Sequence, residues 1–234
     1  MASEPTMSAG AHDGTTLGLA LLSFAAGSMD AIAFLVLSGV FTSAMSGNTI
    51  LLGLAIGQGH FGPALHSSAA LLGYVTGVAA ASVSLAKTRR GSGWTLGLEA
   101  LFLAAFAGLW LAAGVPAGAP VTYGLIVLSA VAMGLQGGIG RALGIPGVMT
   151  VIFTSTYTAI VGDLVERALA GSRPLLTALA ARQLTALAAY LGSAIIGGIV
   201  ATHWLRVAPL LPLAAILVLL AGLRLRLIRF QNPT

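Results

Sequence analysis

The chain contains no cysteine and very little charge. Its 234 residues include no Cys, 11 Lys or Arg, and 6 Asp or Glu. Without cysteine there is no disulfide, no thiol nucleophile and no thiolate ligand for a metal. Charged residues make up 7% of the sequence, against roughly 25% in soluble domains. So little charge cannot cover a water-facing surface, and the composition excludes an ordinary soluble domain.

The first 15 residues contain no Lys or Arg. They include Glu4 and Asp13 and lack the basic n-region of a cleavable signal peptide. We expect residues 1–15 to form a disordered lead and residues 16–229 to form a single transmembrane domain, with no soluble domain before or after it. The isoelectric point near 10.5 reflects a few loop residues, so we expect no nucleic-acid partner.

Hydrophobic residues make up 57% of the chain, and its mean hydropathy is +0.98. Eight apolar segments are visible, at 16–37, 40–56, 64–86, 94–113, 121–139, 148–164, 175–202 and 208–228. The longer ones can cross a hydrocarbon core of about 30 Å. The sequence therefore predicts an all-α, multi-pass membrane protein, which we expect in the lipid bilayer of a bacterial inner membrane.

The segments 40–56 and 148–164 differ from the other six. Each opens with a β-prone stretch and then reaches a cluster of small polar residues. The clusters are Ser46, Gly47, Asn48 and Thr49 in the first segment and Thr154, Ser155 and Thr156 in the second. Because Ser, Asn and Thr favour helix N-caps, each segment predicts a discontinuous element: an extended strand followed by a half-helix that begins inside the membrane.

Short blocks recur in the same order in the two halves of the chain. Residues 28–30 resemble 134–136, residues 41–53 resemble 153–162, and residues 74–77 resemble 190–193. The order predicts an internal repeat, with copies at about 16–113 and 121–229. In this alignment Gln136 is the counterpart of Asp30.

The basic residues predict the orientation of these copies. Lys87, Arg89 and Arg90 follow the third segment, and Arg224, Arg226 and Arg229 end the last one. Both groups are cytoplasmic only if the two half-helix segments re-enter the membrane without crossing it. We then expect about six transmembrane helices, both termini in the cytoplasm, and an inverted second copy, as in many transporters.

Besides the two polar clusters, three positions could carry function inside the membrane. Asp30 predicts a substrate, ion or proton site, or else a structural ion pair or helix cap. Arg182 is an anion ligand, a partner of Asp30, or a side chain that reaches the interface. Gln136 lines the site or ties helices together. Glu99 is expected to pair with the nearby Arg89 and Arg90.

No catalytic or metal-binding motif appears. The sequence has no nucleophile elbow, phosphate loop or His-Glu-x-x-His motif, and its histidines lack the spacing of metal ligands. We expect no enzyme activity and no cofactor. Gly73, Gly77 and Ala81 form a close-packing face, which serves either internal packing or a homodimer.

Several of these blocks resemble a known family. Residues 29–31, 39–43, 46–49, 53 and 133–136 resemble the bacterial YoaK-like family of small multi-spanning membrane proteins, over roughly residues 17–229. Ser46 stands where the family often has Thr, and Ser155 stands where the Gly of a Thr-Gly pair is expected. The resemblance implies a multi-spanning membrane protein and carries over no activity. In architecture alone, the strand and half-helix pattern is also similar to the uracil-permease transporters.

Two functions remain in competition. The first is a transporter or channel for a small, anionic solute, bound at the midplane between the two half-helix N-termini, where backbone N–H groups favour anions. The second is a membrane scaffold or assembly protein, in which the half-helices serve packing alone. A midplane cavity lined by Asp30, Asn48, Thr156 and Arg182 would favour the first.

Overall fold

A computed structural model describes residues 9–87, 91–115, 117–142 and 153–228. These residues form eight α-helices and no strand. The helices are α1 (Ala9–Val36), α2 (Met45–Gly57), α3 (Phe61–Lys87), α4 (Gly91–Ala113), α5 (Ala119–Ala142), α6 (Phe153–Leu169), α7 (Ala178–His203) and α8 (Leu210–Arg224). Five of them, α1, α3, α4, α5 and α7, are long and apolar enough to cross a membrane. The chain is thus built as a multi-pass membrane protein.

The helix bounds differ from the predicted segments in two places. Helix α1 begins at Ala9, within the stretch expected to be a disordered lead. The predicted strand before α2 is absent, since residues 40–44 have no regular secondary structure. Their amides and carbonyls bond to side chains of the chain instead of a neighbouring strand. The second predicted strand lies mostly at residues 148–152, which are outside the described residues.

Two pairs of helices pack closely and run in parallel. In the first pair, Gly27 of α1 packs against Ser193 of α7, and Ala31 lies against Gly197 one turn further along both helices. In the second pair, α3 packs against α5 in the same sense: Gly73 lies against Ala130 and Ala81 against Gly138. Because the residue numbers rise together, each pair is parallel. Small residues at these contacts let the helix backbones approach closely.

The remaining contacts fix the directions of the other long helices. A short loop joins α4 to α5, with Leu109 against Gly124, so the two helices are antiparallel. Trp110, at the end of α4, donates a 3.1 Å hydrogen bond from its indole N–H to the carbonyl of Leu205, just before α8. Helices α1, α4 and α7 therefore run one way, and α3, α5 and α8 run the other way. As a result, the chain leaves α1 and enters α3 at the same end of the bundle.

The face formed by Gly73, Gly77 and Ala81 is used inside the chain. All three residues are buried, and a Cβ atom on Gly77 would overlap the carbonyl oxygen of Val131 in α5. Around this contact the apolar core contains large buried side chains from four helices, namely Leu22, Met29, Leu103, Phe106, Trp110, Leu125, Ile126 and Leu219.

Candidate functional site

Asp30 anchors the segment that precedes α2. Its Oδ1 accepts hydrogen bonds from the backbone N–H groups of Thr42 and Ser43, both at 2.7 Å, and from the Thr42 hydroxyl at 3.1 Å. Its Oδ2 accepts from the Ser43 hydroxyl at 2.6 Å and from the Tyr190 hydroxyl at 2.8 Å. Asp30 as a whole is 3% exposed. Five donors and no competing acceptor suit an ionised carboxylate.

Asn48 holds the same segment from the other side. Its Oδ1 accepts from the backbone N–H of Phe41 at 2.9 Å, and its Nδ2 donates to the Phe41 carbonyl at 2.6 Å. The Phe41 ring stacks on Phe34 with centroids 4.9 Å apart. It also covers Gly47, where a Cβ atom would lie 2.8 Å from the ring. Asp30 and Asn48 together provide hydrogen-bond partners for the backbone of residues 41–43. In a β-sheet these partners would come from a neighbouring strand.

The first turn of α2 is not capped as predicted. Ala44 is the N-cap residue and makes no side-chain cap bond. Ser46 in the first turn and Thr49 just after it are both exposed, and the Thr49 hydroxyl donates to the Met45 carbonyl at 2.9 Å. The predicted capping role of this cluster is wrong, because Asp30 and Asn48 fix residues 41–43 and the helix begins directly after them.

Helix α6 begins beside the residue that completes the Asp30 site. The Phe153 ring meets the Tyr190 ring edge-on at 4.7 Å. From there α6 packs along α7, with Ile160 in a small apolar cluster that includes Leu187. Thr156, in the first turn, is buried, and its hydroxyl has no hydrogen-bond partner among the described residues. The first residue of α6 thus contacts Tyr190, which in turn bonds to Asp30.

The other predicted site residues are more dispersed. Thr154 and Ser155 are exposed at the start of α6, and Arg182 is half-buried near the start of α7. Arg182 lies eight residues, about 12 Å along the helix, before Tyr190. Gln136 donates from Nε2 to the carbonyl of Leu22 in α1 at 3.0 Å, so it ties α5 to α1.

A cleft of about 350 Å³ opens beside Asp30. Its walls are mostly apolar and include Phe34, Phe41 and Ala194, with Tyr190 beside the carboxylate. Asn48, Thr156 and Arg182 do not line this cleft. Of the four residues expected around one cavity, only Asp30 borders it.

The sequence interpretation missed Tyr190 as the partner of Asp30. In the sequence, Tyr190 stands out only as part of the repeat block 190–193. The useful signal was the pattern of small residues that follows it, Ser193 and Gly197, which is typical of a close helix contact. Such a contact brings a neighbouring polar side chain within reach of the tyrosine hydroxyl.

Comparison with known proteins places the chain in a family. The family model of DUF1275, described as a protein of unknown function, matches residues 18–223. The UPF0700 transmembrane protein YoaK of Bacillus subtilis (strain 168) is 36% identical over 168 residues, covering 69% of this chain and 71% of the relative. No solved structure matches. The chain therefore belongs to the DUF1275 family and is a YoaK-like multi-pass membrane protein.

Proposed function

We propose that this protein is a transporter or channel for a small solute, with its site where α2 and α6 begin. One observation carries the proposal: both short helices begin beside the same hydrogen-bonded pair. Residues 42 and 43 bond to Asp30, and Phe153 packs on Tyr190. Helices that begin inside a bundle surround the solute sites of many transporters.

The proposal includes a topology of six crossings with α2 and α6 re-entrant. The directions of the long helices support this topology. Helix α1 ends and α3 begins at the same end of the bundle, so α2 between them enters and leaves from that end. The ends of α3, α5 and α8 carry Lys87, Arg141 and Arg224, and these ends lie together. The positive-inside rule assigns this end to the cytoplasm. Arg206 then lies outside, and α2 and α6 enter from opposite faces.

The same proposal treats the two halves as inverted copies. Support comes from matching contacts: Gly27 packs on the Tyr190 carbonyl, and Gly134 packs on the Tyr74 carbonyl. Three residues further on, Asp30 bonds to the Tyr190 hydroxyl, whereas Gly137 lies against the Tyr74 hydroxyl. This register pairs Asp30 with Gly137, one residue beyond the Gln136 of the sequence alignment. The polar anchor then belongs to one copy only.

We place the anion-binding part of the site at α6. At α2, the carboxylate of Asp30 already occupies the backbone N–H groups that precede the helix. At α6, the buried hydroxyl of Thr156 remains without a described partner, beside the N–H groups of a helix N-terminus that favour anions. Arg182 adds a positive charge on the adjacent helix. A small anionic solute suits this combination.

Permeation into liposomes tests the proposal without a known substrate. Purified protein would be reconstituted, and the entry of chloride, nitrate, formate and sulfate would be followed by light scattering after a salt jump. We expect faster entry of at least one anion than in protein-free liposomes. Entry at the protein-free rate for all four anions would contradict an anion pathway.

A pair of matched variants assigns the pathway to α6. Thr156→Val removes the unpartnered hydroxyl at nearly constant volume and should slow anion entry. Thr158→Val is the control, because its exposed hydroxyl donates to the Thr154 carbonyl at 3.0 Å and should leave entry unchanged. Equal anion-entry rates for the two variants would show that Thr156 is not part of the site. Reporter fusions at Asp13 and Pro233 test the topology, and both should report a cytoplasmic location.

One observation favours the alternative, a membrane scaffold or assembly protein. The side-chain oxygen and nitrogen atoms of Asp30 and Asn48 all bond within the chain. A structural clamp needs these bonds and leaves no group for a solute. A stable, folded protein that passes none of the tested solutes would support this alternative.

A further inference from the structure

Glu99 is a buried acid without a described partner. It lies in α4 on the same buried face as Thr95, Leu103 and Phe106 and is 0% exposed. Neither carboxylate oxygen has a hydrogen-bond partner in the part of the chain that the structure describes. The predicted partners Arg89 and Arg90 lie outside the described residues. An isolated carboxylate ion in apolar surroundings is so costly that such a group is normally neutral.

Two other unpartnered oxygens lie at the level of Glu99. Leu109 of α4 packs against Gly124 of the antiparallel α5. Glu99 lies ten residues before Leu109, and residue 134 lies ten residues after Gly124, which is about 15 Å along each helix. The antiparallel register therefore places Glu99 opposite residue 134, close to Gln136. Gln136 bonds to the Leu22 carbonyl of α1 through Nε2, but its Oε1 is buried without a partner among the described residues, as is the hydroxyl of Ser23, the next residue in α1. Three helices thus each contribute an unpartnered buried oxygen at one level of the core.

The titratable groups of the helices packed on α4 lie mostly at other levels. On α3, Tyr74 packs against Gly134 at the level of Glu99, while His66 stacks on Tyr123 of α5 nearer the opposite end. Lys87, Arg141 and Arg224 each lie in the last turn of their helix. By register Arg141 lies about 10 Å and Lys87 about 15 Å from Glu99 along the bundle axis, and Arg224 lines a surface pocket with Gly93, which precedes Glu99 by six residues.

We propose that Glu99 binds a proton and forms a proton site in the core of the bundle. A neutral acid contributes one O–H donor at a level where Gln136 and Ser23 retain free acceptor oxygens. Loss of the proton breaks the O–H bond, passes the proton to water and leaves a carboxylate that needs hydration. The proton is therefore exchanged only when water reaches this level of the core.

Asp30 provides the contrast within the same bundle. Its carboxyl group accepts five hydrogen bonds, whereas that of Glu99 accepts none from the described residues. The two acids thus lie in different surroundings within one core. A role for Glu99 in coupling proton movement to solute movement rests on the proposed function. The protonation of Glu99 does not, so each can fail alone.

Infrared spectroscopy of the reconstituted protein tests the protonation directly. At neutral pH we expect a carbonyl stretch of a protonated carboxylic acid in the wild-type protein. Glu99→Gln should abolish this band, and Asp30→Asn should retain it. No band in the wild type, or a band that survives Glu99→Gln, would overturn the proposal, as would a band lost on addition of sodium chloride, which would indicate a bound cation.

Stability gives a second readout. Gln has the shape of a neutral Glu, so Glu99→Gln should melt at the wild-type temperature in detergent. A large fall in its melting temperature, or failure to fold, would mean that Glu99 is ionised beside a cationic partner and would also overturn the proposal.

Discussion

The hydroxyl of Tyr190 in α7 donates a 2.8 Å hydrogen bond to Oδ2 of Asp30 in α1. The same oxygen accepts from the hydroxyl of Ser43. One carboxylate therefore joins a helix from the first half of the chain, a helix from the second half and the segment that leads into α2. Loss of the carboxylate should therefore weaken the contacts of all three elements.

Removal of the Tyr190 hydroxyl should destabilise the protein. Tyr190→Phe loses one hydrogen bond to a charged acceptor, which contributes about 1.5–3 kcal/mol. The control is Tyr157→Phe, whose side chain is 59% exposed. Unfolding in detergent would measure both free energies, and equal stability of the two variants would contradict the role of Tyr190.

A double-mutant cycle should show that Asp30 and Tyr190 are coupled. Asp30→Asn weakens the acceptor, so adding Tyr190→Phe to it should cost less than in the wild type. The expected coupling free energy is about 0.5–3 kcal/mol. Strict additivity of the two changes would show that the hydrogen bond contributes nothing measurable.

Asn48 should matter more than its polar neighbours in α2. Asn48→Asp keeps the shape but loses the donor to the Phe41 carbonyl, so it should destabilise the protein by about 1–3 kcal/mol. Ser46→Ala, at an exposed position, should change stability by no more than about 0.5 kcal/mol. Thermal unfolding in detergent distinguishes the two, and a larger loss for Ser46→Ala would refute the clamp.

The close contact between α3 and α5 should not tolerate a methyl group. In Gly77→Ala the new Cβ meets the Val131 carbonyl, and overpacking of this kind costs about 1–3 kcal/mol. Gly192→Ala is the control, since nothing lies within 4 Å of its Cβ position. Gly192→Ala should be neutral or slightly stabilising. Equal behaviour of the two variants in a melting experiment would contradict the described packing.

Cysteine labelling should show whether α2 re-enters the membrane or crosses it fully. The chain has no Cys, so single substitutions label without background. Gln58→Cys and Arg206→Cys should react with an impermeant reagent from outside, and Ser172→Cys only after the membrane is opened. Labelling of Gln58→Cys from the same side as Ser172→Cys would show that α2 crosses the bilayer.

Hydropathy predicted the helices, but not the way in which their polar residues pair. Apolar runs identified all eight segments, because lipid-facing and buried positions are both apolar. The predicted strand at 39–43 was wrong because β-propensity does not account for Asp30 and Asn48, whose side chains bond to these backbone groups. Tyr190 was missed because its contact spans 160 positions, and no local pattern indicates which helix will lie beside it.

The parallel pairing of α1 with α7 sets an order of assembly during synthesis. Asp30 enters the bilayer before Tyr190 exists, and at about 5–20 residues per second the intervening 160 residues take about 8–32 seconds to translate. Helix α3 meets its partner α5 much sooner. The α3–α5 pair can therefore form while α1 still lacks α7, and the contact between Asp30 and Tyr190 is among the last to become possible.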